Sequence, residues 1–323
     1  MLTVYDAVDG ALVRRDGATA IGPGTVWIDL LNPTRDEDLI VEQALSIAVP
    51  TREEMAEIEA SSRLYQEGGG HYMTAVVLHQ REKQTEPPVA TPVTFILAGS
   101  KLVTVRYAEP RAFQIFLQRA QKKDASCVSG TAVLVGLLEA IIDREADRVE
   151  RIQGEVDALS ASIFAPRVST APLNFDSSIR SIGREGELTS RSRESLLSLD
   201  RLLTYLNHVM TERGDDKASR ARIKTANRDV QSLADHIGYL STKITFLLDA
   251  TLGMINNEQN TVIKIFSVLA VVLLPPTLVG TIYGMNFKHM PEIEWTFGYP
   301  WALVLMVLSG VLPYLFFKHK GWL

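Results

Sequence analysis

The chain has 323 residues, a charged fraction of 22% and a formal net charge of −5 at pH 7. The excess of acidic over basic residues argues against nucleic acid as a partner. The mean hydropathy is slightly positive although the charged fraction is ordinary for a soluble protein, so the apolar residues must be concentrated in one part of the chain.

Residues 1–130 are predicted to form an α/β domain, the first part of an α+β protein. The segment Asn32-Pro33-Thr34 opens a helical stretch that extends to about Ile47. Thr51 is followed three residues later by Glu54, which is the spacing of a capping box and predicts a second helix start. The prolines between Glu86 and Pro92 predict a loop.

Apolar runs in the same domain predict β-strands, because they are rich in β-branched and aromatic residues. The last two runs are separated only by Gly99-Ser100, which indicates a hairpin. The four predicted strands are Val26–Leu30, Tyr72–His79, Val93–Ala98 and Lys101–Arg106.

Residues 131–264 have the pattern of long helices and are predicted to form a cytoplasmic stalk. Apolar residues recur with heptad-like spacing from Leu134 to Leu159, and charged residues on the other side, Glu145 among them, predict a solvated face. Pro166 and Pro172 end this helix, and a second helix is expected over about residues 177–210. A third starts near Ser219 and meets no proline before Pro275, so it can continue into the apolar C-terminal region.

Two apolar segments near the C-terminus, residues 265–283 and 299–317, have 19 residues each without Asp, Glu, Lys, Arg or His. A helix that spans a bilayer needs about 20 apolar residues, so we predict two transmembrane helices. The alternative is a pair of buried core helices, which normally carry a polar stripe that these segments lack. Residues 284–298 are then an external loop, and residues 318–323 a cytoplasmic tail.

The basic residues that flank the two segments predict the topology. Lys264, Lys318 and Lys320 lie outside the spans, whereas the connection between them contains only Lys288. The positive-inside rule therefore predicts a multi-pass protein of a bacterial-type inner membrane, with both termini in the cytoplasm. The chain begins without an apolar run of signal-peptide length, and the single Cys127 fits a reducing compartment.

A subunit with two spans cannot enclose a water-filled path, so a channel requires several copies around an axis. Positions spaced by 3.5 residues along the first span form one stripe that collects small and polar side chains, and we predict that this stripe lines a pore. Apolar members and the adjacent Phe266 predict a constriction that can shut by dewetting, although plain packing between helices is an alternative for each. The predicted pore and gate residues are Asn260, Ile263, Phe266, Leu274, Thr277 and Thr281.

At the end of the first span the sequence reads Tyr283-Gly284-Met285-Asn286-Phe287, followed by Met290-Pro291-Glu292. This segment resembles the signature of the CorA family of magnesium and cobalt transporters, whose Gly-Met-Asn triplet follows the first of two transmembrane helices. The resemblance implies a homopentameric channel in the lipid bilayer, no enzymatic activity and no cofactor. It also implies that Mg²⁺ is the transported ion, with Co²⁺ or Ni²⁺ as further cargo.

The resemblance assigns the selectivity filter to Gly284, Met285 and Asn286. The first span has no carboxylate that could replace the waters of Mg²⁺, so we expect Asn286 and the backbone carbonyl of Gly284 to bind the ion through its own waters. A helix C-cap is the alternative role of Asn286. Glu292 and Glu294 are expected to attract cations outside, unless they are merely solvated loop residues.

One position departs from the family pattern. Relatives place an activating metal on cytoplasmic aspartates, and the stalk position that corresponds to one of them falls near Thr225, which questions gating by internal Mg²⁺. Two alternatives to Mg²⁺ influx driven by the membrane potential stay open at this stage. One is a Zn²⁺ transporter of the same architecture, which Met285 disfavours, and the other is a membrane-anchored scaffold that conducts no ion.

Overall fold

The computed structural model describes residues 1–15, 21–57, 59–80, 88–122, 126–165, 175–286, 288, 290–291 and 295–321. It divides into two units, Met1–Leu247 and Leu248–Leu323. The first unit contains a seven-stranded sheet and the helices packed on it, and the second contains the apolar helical segments.

The sheet has the strand order β2-β1-β3-β7-β6-β5-β4. All neighbouring strands are antiparallel except β3 and β7, which are parallel. The four predicted strands are confirmed, and so is the hairpin at Gly99, whose φ of 56° suits glycine. The strands are β1 (Leu2–Val8), β2 (Ala11–Arg15), β3 (Thr25–Leu31), β4 (Leu64–Glu67), β5 (Gly70–His79), β6 (Val89–Ala98) and β7 (Lys101–Arg106).

The loop predicted up to Pro92 is wrong for its last residues, because β6 already begins at Val89. Pro92 lies opposite Val76 of β5, whereas β7 pairs with β6 only from Val93 onwards. Pro92 therefore has no partner on the β7 side of the strand. Its missing N–H removes no hydrogen bond between β6 and β7.

Four helices accompany the sheet: α1 (Arg35–Leu45), α2 (Arg52–Met55), α3 (Ala60–Arg63) and α4 (Arg111–Ala120). The predicted helix starts are confirmed. Thr34 forms a capping box with Glu37, and Thr51 forms one with Glu54. In each box the threonine hydroxyl accepts a hydrogen bond from the backbone N–H of the glutamate, and the glutamate carboxylate accepts one from the backbone N–H of the threonine. The helix after Thr51 is short, with only four residues.

A buried ion pair joins the centre of the sheet. Asp29 on β3 accepts hydrogen bonds from Arg106 on β7 through both carboxylate oxygens, at 3.0 and 2.7 Å, and from the hydroxyl of Thr104 at 2.7 Å. Trp27 donates its indole N–H to the same Thr104 hydroxyl. The guanidinium also lies over the ring of Phe113, 4.7 Å from its centroid. Because every charged group has partners, the pair is accommodated in an otherwise apolar core.

The predicted long helices are confirmed as α5 (Gly130–Phe164), α6 (Phe175–Glu212) and α7 (Lys217–Tyr283), and α8 (Gly298–His319) follows. Within the first unit, α7 is joined to α5 by Arg222–Glu139 and Lys243–Asp157 ion pairs of 2.5 Å each. The 67 residues of α7 extend from the first unit into the second without interruption. Pro166 and Pro172 lie outside the described residues.

Glu145 is the exception to the predicted solvated face of α5. It is only 1% exposed, forms an ion pair of 2.6 Å with Arg148 and accepts a hydrogen bond from Ser195 on α6. α5 packs against both the sheet and α6, so part of its charged side is covered as well. Burial raises the pKa of the Glu145 carboxyl group.

We expect Gly130→Ala to destabilise the protein by about 1–3 kcal/mol. A Cβ at this position would lie 2.4 Å from the backbone N of Leu102 and 2.5 Å from the backbone C of Lys101, so the hairpin and α5 would have to separate. Gly154→Ala in the same helix meets nothing within 4 Å and should stabilise it by up to about 1 kcal/mol. Thermal unfolding of the purified full-length chain checks both, and equal melting temperatures for the two variants would contradict the close approach.

Candidate functional site

The second unit contains the two candidate membrane spans. The C-terminal part of α7 and the whole of α8 are long and apolar enough to cross a bilayer, and the most apolar window of α7 is 0% buried, that of α8 11%. Core helices of a soluble protein would be mostly buried. The length, composition and exposure of these helices therefore fit lipid contact better than the alternative of a buried pair.

α8 packs against one face of α7 by means of small residues. A Cβ on Gly310 would lie 3.3 Å from both the ring of Pro276 and the carbonyl oxygen of Val272, and a Cβ on Gly280 would lie 3.3 Å from the Met306 methyl group. Close approach at small residues is the usual way in which transmembrane helices associate. The positions 272, 276 and 280 are four apart, so they define the α8-facing side of α7.

The predicted pore stripe lies beside this contact face: at about 100° per residue, Phe266 and Thr277 lie roughly a quarter turn from Pro276, and the other stripe residues lie farther round the helix. Within the single chain this side is uncovered: the side chains of Ile263, Leu274 and Phe266 are 61%, 65% and 69% exposed. Asn260, Thr277 and Thr281 are exposed as well. All six predicted pore and gate residues are thus exposed on α7, and we call this exposed stripe the free face of α7, although Ile263 also lines a cavity together with Phe317 of α8.

The two threonines of this stripe are arranged as hydrogen-bond acceptors. Thr277 donates its hydroxyl to the carbonyl of Leu273, and Thr281 donates its hydroxyl to the carbonyl of Thr277, both at 2.7 Å. The hydroxyl protons are therefore used within the helix, and the oxygen lone pairs are left outward. Such oxygens can accept hydrogen bonds from the waters around a cation.

The Gly-Met-Asn triplet follows directly on the last turn of α7. Gly284 N–H donates to the Gly280 carbonyl, four residues back, at 3.0 Å. Met285 N–H donates to the Ile282 carbonyl, only three residues back, at 3.2 Å, so the α-helical hydrogen bonding ends at Gly284. Asn286 is exposed, and within the described part of the chain its side chain makes no hydrogen bond and its φ is not positive. It lacks the left-handed backbone of an Asn helix cap.

The remaining predicted positions contribute less. Glu292 and Glu294 lie outside the described residues. Thr225 is exposed on α7 and lines a cavity that also contains Glu139 and Asp143, but Arg222 pairs with Glu139 and Arg119 with Asp143. The residues that the structure describes contain no group of three or more His, Cys, Asp or Glu side chains that could hold a metal.

The sequence interpretation missed the packing positions that orient the site. Gly280 and Gly310 bring the two helices together, and Pro276 lies between them. Glycines within a transmembrane segment indicate a close contact between helices. They are visible in the sequence, but the sequence does not show which residues of the other helix they contact.

Comparisons with known proteins agree with this architecture. A family model described as CorA-like Mg²⁺ transporter protein matches residues 23–319. The chain is 36% identical over 300 residues to the magnesium transport protein CorA of Escherichia coli K12, with 92% of each chain covered. It is 35% identical over 302 residues to the magnesium transport protein CorA of Pectobacterium atrosepticum, covering 93% of this chain and 92% of the relative.

Solved structures show the same fold. The complete structure of the CorA magnesium transporter from Methanocaldococcus jannaschii superposes with a TM-score of 0.78 at 17% identity, covering 100% of this chain and 99% of the other. The full-length CmaX protein matches with a TM-score of 0.70 at 13% identity, covering 99% and 97%. From the family match over nearly the whole length and the identity to the bacterial relatives, the chain belongs to the CorA-like Mg²⁺ transporter family.

Proposed function

We propose that the chain is one subunit of a membrane channel that carries Mg²⁺ into the cytoplasm as a hydrated ion. The family is one of ion transporters, not of enzymes, and its curated relatives are magnesium transport proteins. The observation that carries the proposal is the free face of α7, which ends in the triplet Gly284-Met285-Asn286. In an assembly this face is available to line a common axis, because its side chains stay exposed beside the contact with α8.

The filter and the gate are assigned to different levels of this face. Gly284 and Asn286 would bind the ion through its waters, with carbonyl and amide oxygens as acceptors, and Met285 lies between them. Below them, Thr277 and Thr281 offer further acceptors, and an apolar constriction follows at Leu274, Phe266 and Ile263, with Asn260 at its inner end. Glu292 and Glu294 would raise the cation concentration outside.

The membrane potential supplies the driving force in this proposal. Moving one elementary charge through 100 mV is worth about 2.3 kcal/mol, so a divalent ion gains about 4.6 kcal/mol on entering a cell that is negative inside. Co²⁺ and Ni²⁺ would enter by the same path, because selection of an intact water shell depends on size and charge more than on the metal.

We propose a homopentamer with the domain order given by the sequence. Residues 1–130 and 131–264 would be cytoplasmic, residues 265–283 and 299–317 would span the inner membrane, and residues 318–323 would return to the cytoplasm. Five copies of the free face around one axis would form the conduit that a single chain lacks. A mass of five chains in detergent supports this assembly, and a monomer or dimer would contradict it.

The topology predicts that the loop is outside and the tail inside. The buried Cys127, whose thiol pKa is raised by burial, reacts too poorly to report on sidedness and is replaced by alanine. In this background Trp295→Cys should be labelled by an impermeant thiol reagent in intact cells, whereas Lys320→Cys should be labelled only after permeabilisation. Both residues are exposed, so a reversed pattern would overturn the orientation.

Growth rescue separates Mg²⁺ transport from its alternatives. Expression should restore growth of a cell that lacks its own Mg²⁺ uptake systems at low external Mg²⁺, and should raise cellular Mg²⁺ more than Zn²⁺. Accumulation of Zn²⁺ without Mg²⁺ would favour the zinc alternative. A correctly inserted protein that changes neither metal would favour the scaffold.

A further inference from the structure

The two candidate spans leave a cavity of about 510 Å³ between them at one end. Close approach at Gly280 and Gly310 brings α7 and α8 together further along the pair. Neither α7 between Ile263 and Val271 nor α8 after Gly310 contains a glycine, and the cavity lies between these two segments. In the proposed topology this is the cytoplasmic end of the spans.

The lining of the cavity is mostly apolar but includes one charged side chain. Val268 and Val271 of α7 and Phe317 of α8 contribute apolar groups, and Ser267 contributes a hydroxyl group. Lys264 lines the cavity as well, one turn of α7 closer to the cytoplasm than Val268. A lysine at the end of a transmembrane helix can lay its methylene groups along apolar surface while its ammonium group stays at the level of the lipid headgroups.

More positive charge lies at the same end of the helix pair. Lys318 is in the last turn of α8, and Lys320 directly precedes Gly321, which lines the cavity. The side chains of Lys264, Lys318 and Lys320 are exposed, and none of them forms an ion pair with another of the described residues. The apolar cavity therefore has ammonium groups without a counterion at its cytoplasmic end.

A second copy of the chain complements this combination less well than a lipid does. Residues 259–291 and 295–323 contain no Asp or Glu, so the spans of a neighbouring subunit have no carboxylate side chain to offer Lys264. Glu258, the nearest acid along α7, lies about 9 Å further along the helix axis. A phospholipid of the cytoplasmic leaflet supplies an apolar chain and an anionic headgroup in one molecule.

We propose that this cavity binds an anionic phospholipid of the cytoplasmic leaflet. One acyl chain lies against Val268, Val271 and Phe317, and the headgroup phosphate lies beside the ammonium group of Lys264. Basic pockets between transmembrane helices on the cytoplasmic side are suited to anionic headgroups. The volume is within the range found for small-molecule sites, so it holds a chain and not a whole lipid. The choice of leaflet rests on the proposed topology, whereas the site itself does not depend on ion conduction.

Native mass spectrometry of the purified full-length protein in detergent tests the site. The probe is dioctanoyl phosphatidylglycerol, and the comparison is dioctanoyl phosphatidylcholine, which has the same chains and no net charge. We expect phosphatidylglycerol to bind saturably, up to one molecule per subunit, and at least tenfold more tightly than phosphatidylcholine. Lys264→Gln should remove most of this preference. Lys288→Gln is the control, because it removes an exposed lysine beyond the other end of the span and should leave the affinity unchanged.

A second variant tests the cavity apart from its charge. Val268→Trp keeps every charged group and places a large ring in the cavity, so it should weaken phosphatidylglycerol binding severalfold. Glycerol 3-phosphate, which has the phosphate without the chains, should not displace the lipid. If Val268→Trp does not assemble, Val271→Phe decides by the same criterion, because Val271 is at an exposed position of the same wall.

Four outcomes would overturn the proposal. They are equal binding of the two lipids to the wild-type protein, equal effects of Lys264→Gln and Lys288→Gln, unchanged affinity in the cavity-filling variant, and displacement of the lipid by glycerol 3-phosphate. The titration uses no membrane potential and measures no transport. A negative result would therefore reject the lipid site and leave the proposed channel function untouched.

Discussion

Asn286→Ala should reduce Mg²⁺ uptake at least tenfold while the oligomer stays intact. The exposed side chain makes no hydrogen bond within the described residues, so its loss removes acceptors for the waters of the ion without breaking a contact of the subunit. Uptake into vesicles that contain the purified variant is the measurement. Size-exclusion mass analysis of the same sample establishes that the assembly is unchanged.

A matched control distinguishes this role from a structural one. Gln118→Ala removes an exposed amide from α4, outside the predicted pore, and should leave uptake unchanged. If Asn286 only capped the helix, its loss would weaken folding by about 1 kcal/mol and spare transport in whatever assembles. Full uptake by an intact Asn286→Ala oligomer would therefore remove the triplet from the mechanism.

Phe266→Ser should increase resting Mg²⁺ uptake severalfold, measured where the wild-type channel is mostly closed. The phenylalanine ring is 69% exposed at the edge of the free face of α7. An apolar constriction opposes wetting more than one lined by hydroxyl groups, so a serine should hydrate the neck of the pore.

Ile265→Ser is the control for this variant, because Ile265 is the adjacent residue, is also exposed and points away from the pore stripe. It introduces the same hydroxyl at the same depth of the membrane and should leave resting uptake near the wild-type value. Equal uptake by the two variants, whether raised or not, would show that Phe266 packs between helices instead of closing the pore.

The sequence was sufficient to predict helices and their first residues where capping residues and the spacing of apolar residues agree. The segment Asn32-Pro33-Thr34 and the capping-box spacing at Thr51 predicted two helix starts, and the absence of proline between Ser219 and Pro275 predicted one continuous helix. Asp9-Gly10 carries the same kind of local signal, since both residues have positive φ in the β1–β2 hairpin, yet this hairpin was not predicted. Its strands are short and half exposed, so their alternation is weak.

Tertiary context accounts for the features that were predicted wrongly. Pro92 argued for a loop, but the staggered ends of β6 and β7 leave its nitrogen at an edge. Glu145 looked like one more charge on a solvated helix face, and only the packing of α6 on α5 shows that it is buried. The spacing of residues along the first span predicted which side chains share the pore stripe. The side of α7 that contacts α8 could not be predicted, because it depends on how the two helices pack.

The central claim is that Mg²⁺ passes the triplet with its waters, and competition by cobalt(III) hexaammine tests it most directly. This complex resembles hexahydrated Mg²⁺ in size and shape but cannot exchange its ligands, so it can be recognised only from outside its first shell. Mg²⁺ uptake into vesicles with wild-type protein should fall in a saturable manner as the complex is added outside. Uptake that is unaffected at concentrations well above that of Mg²⁺ would contradict recognition of the hydrated ion.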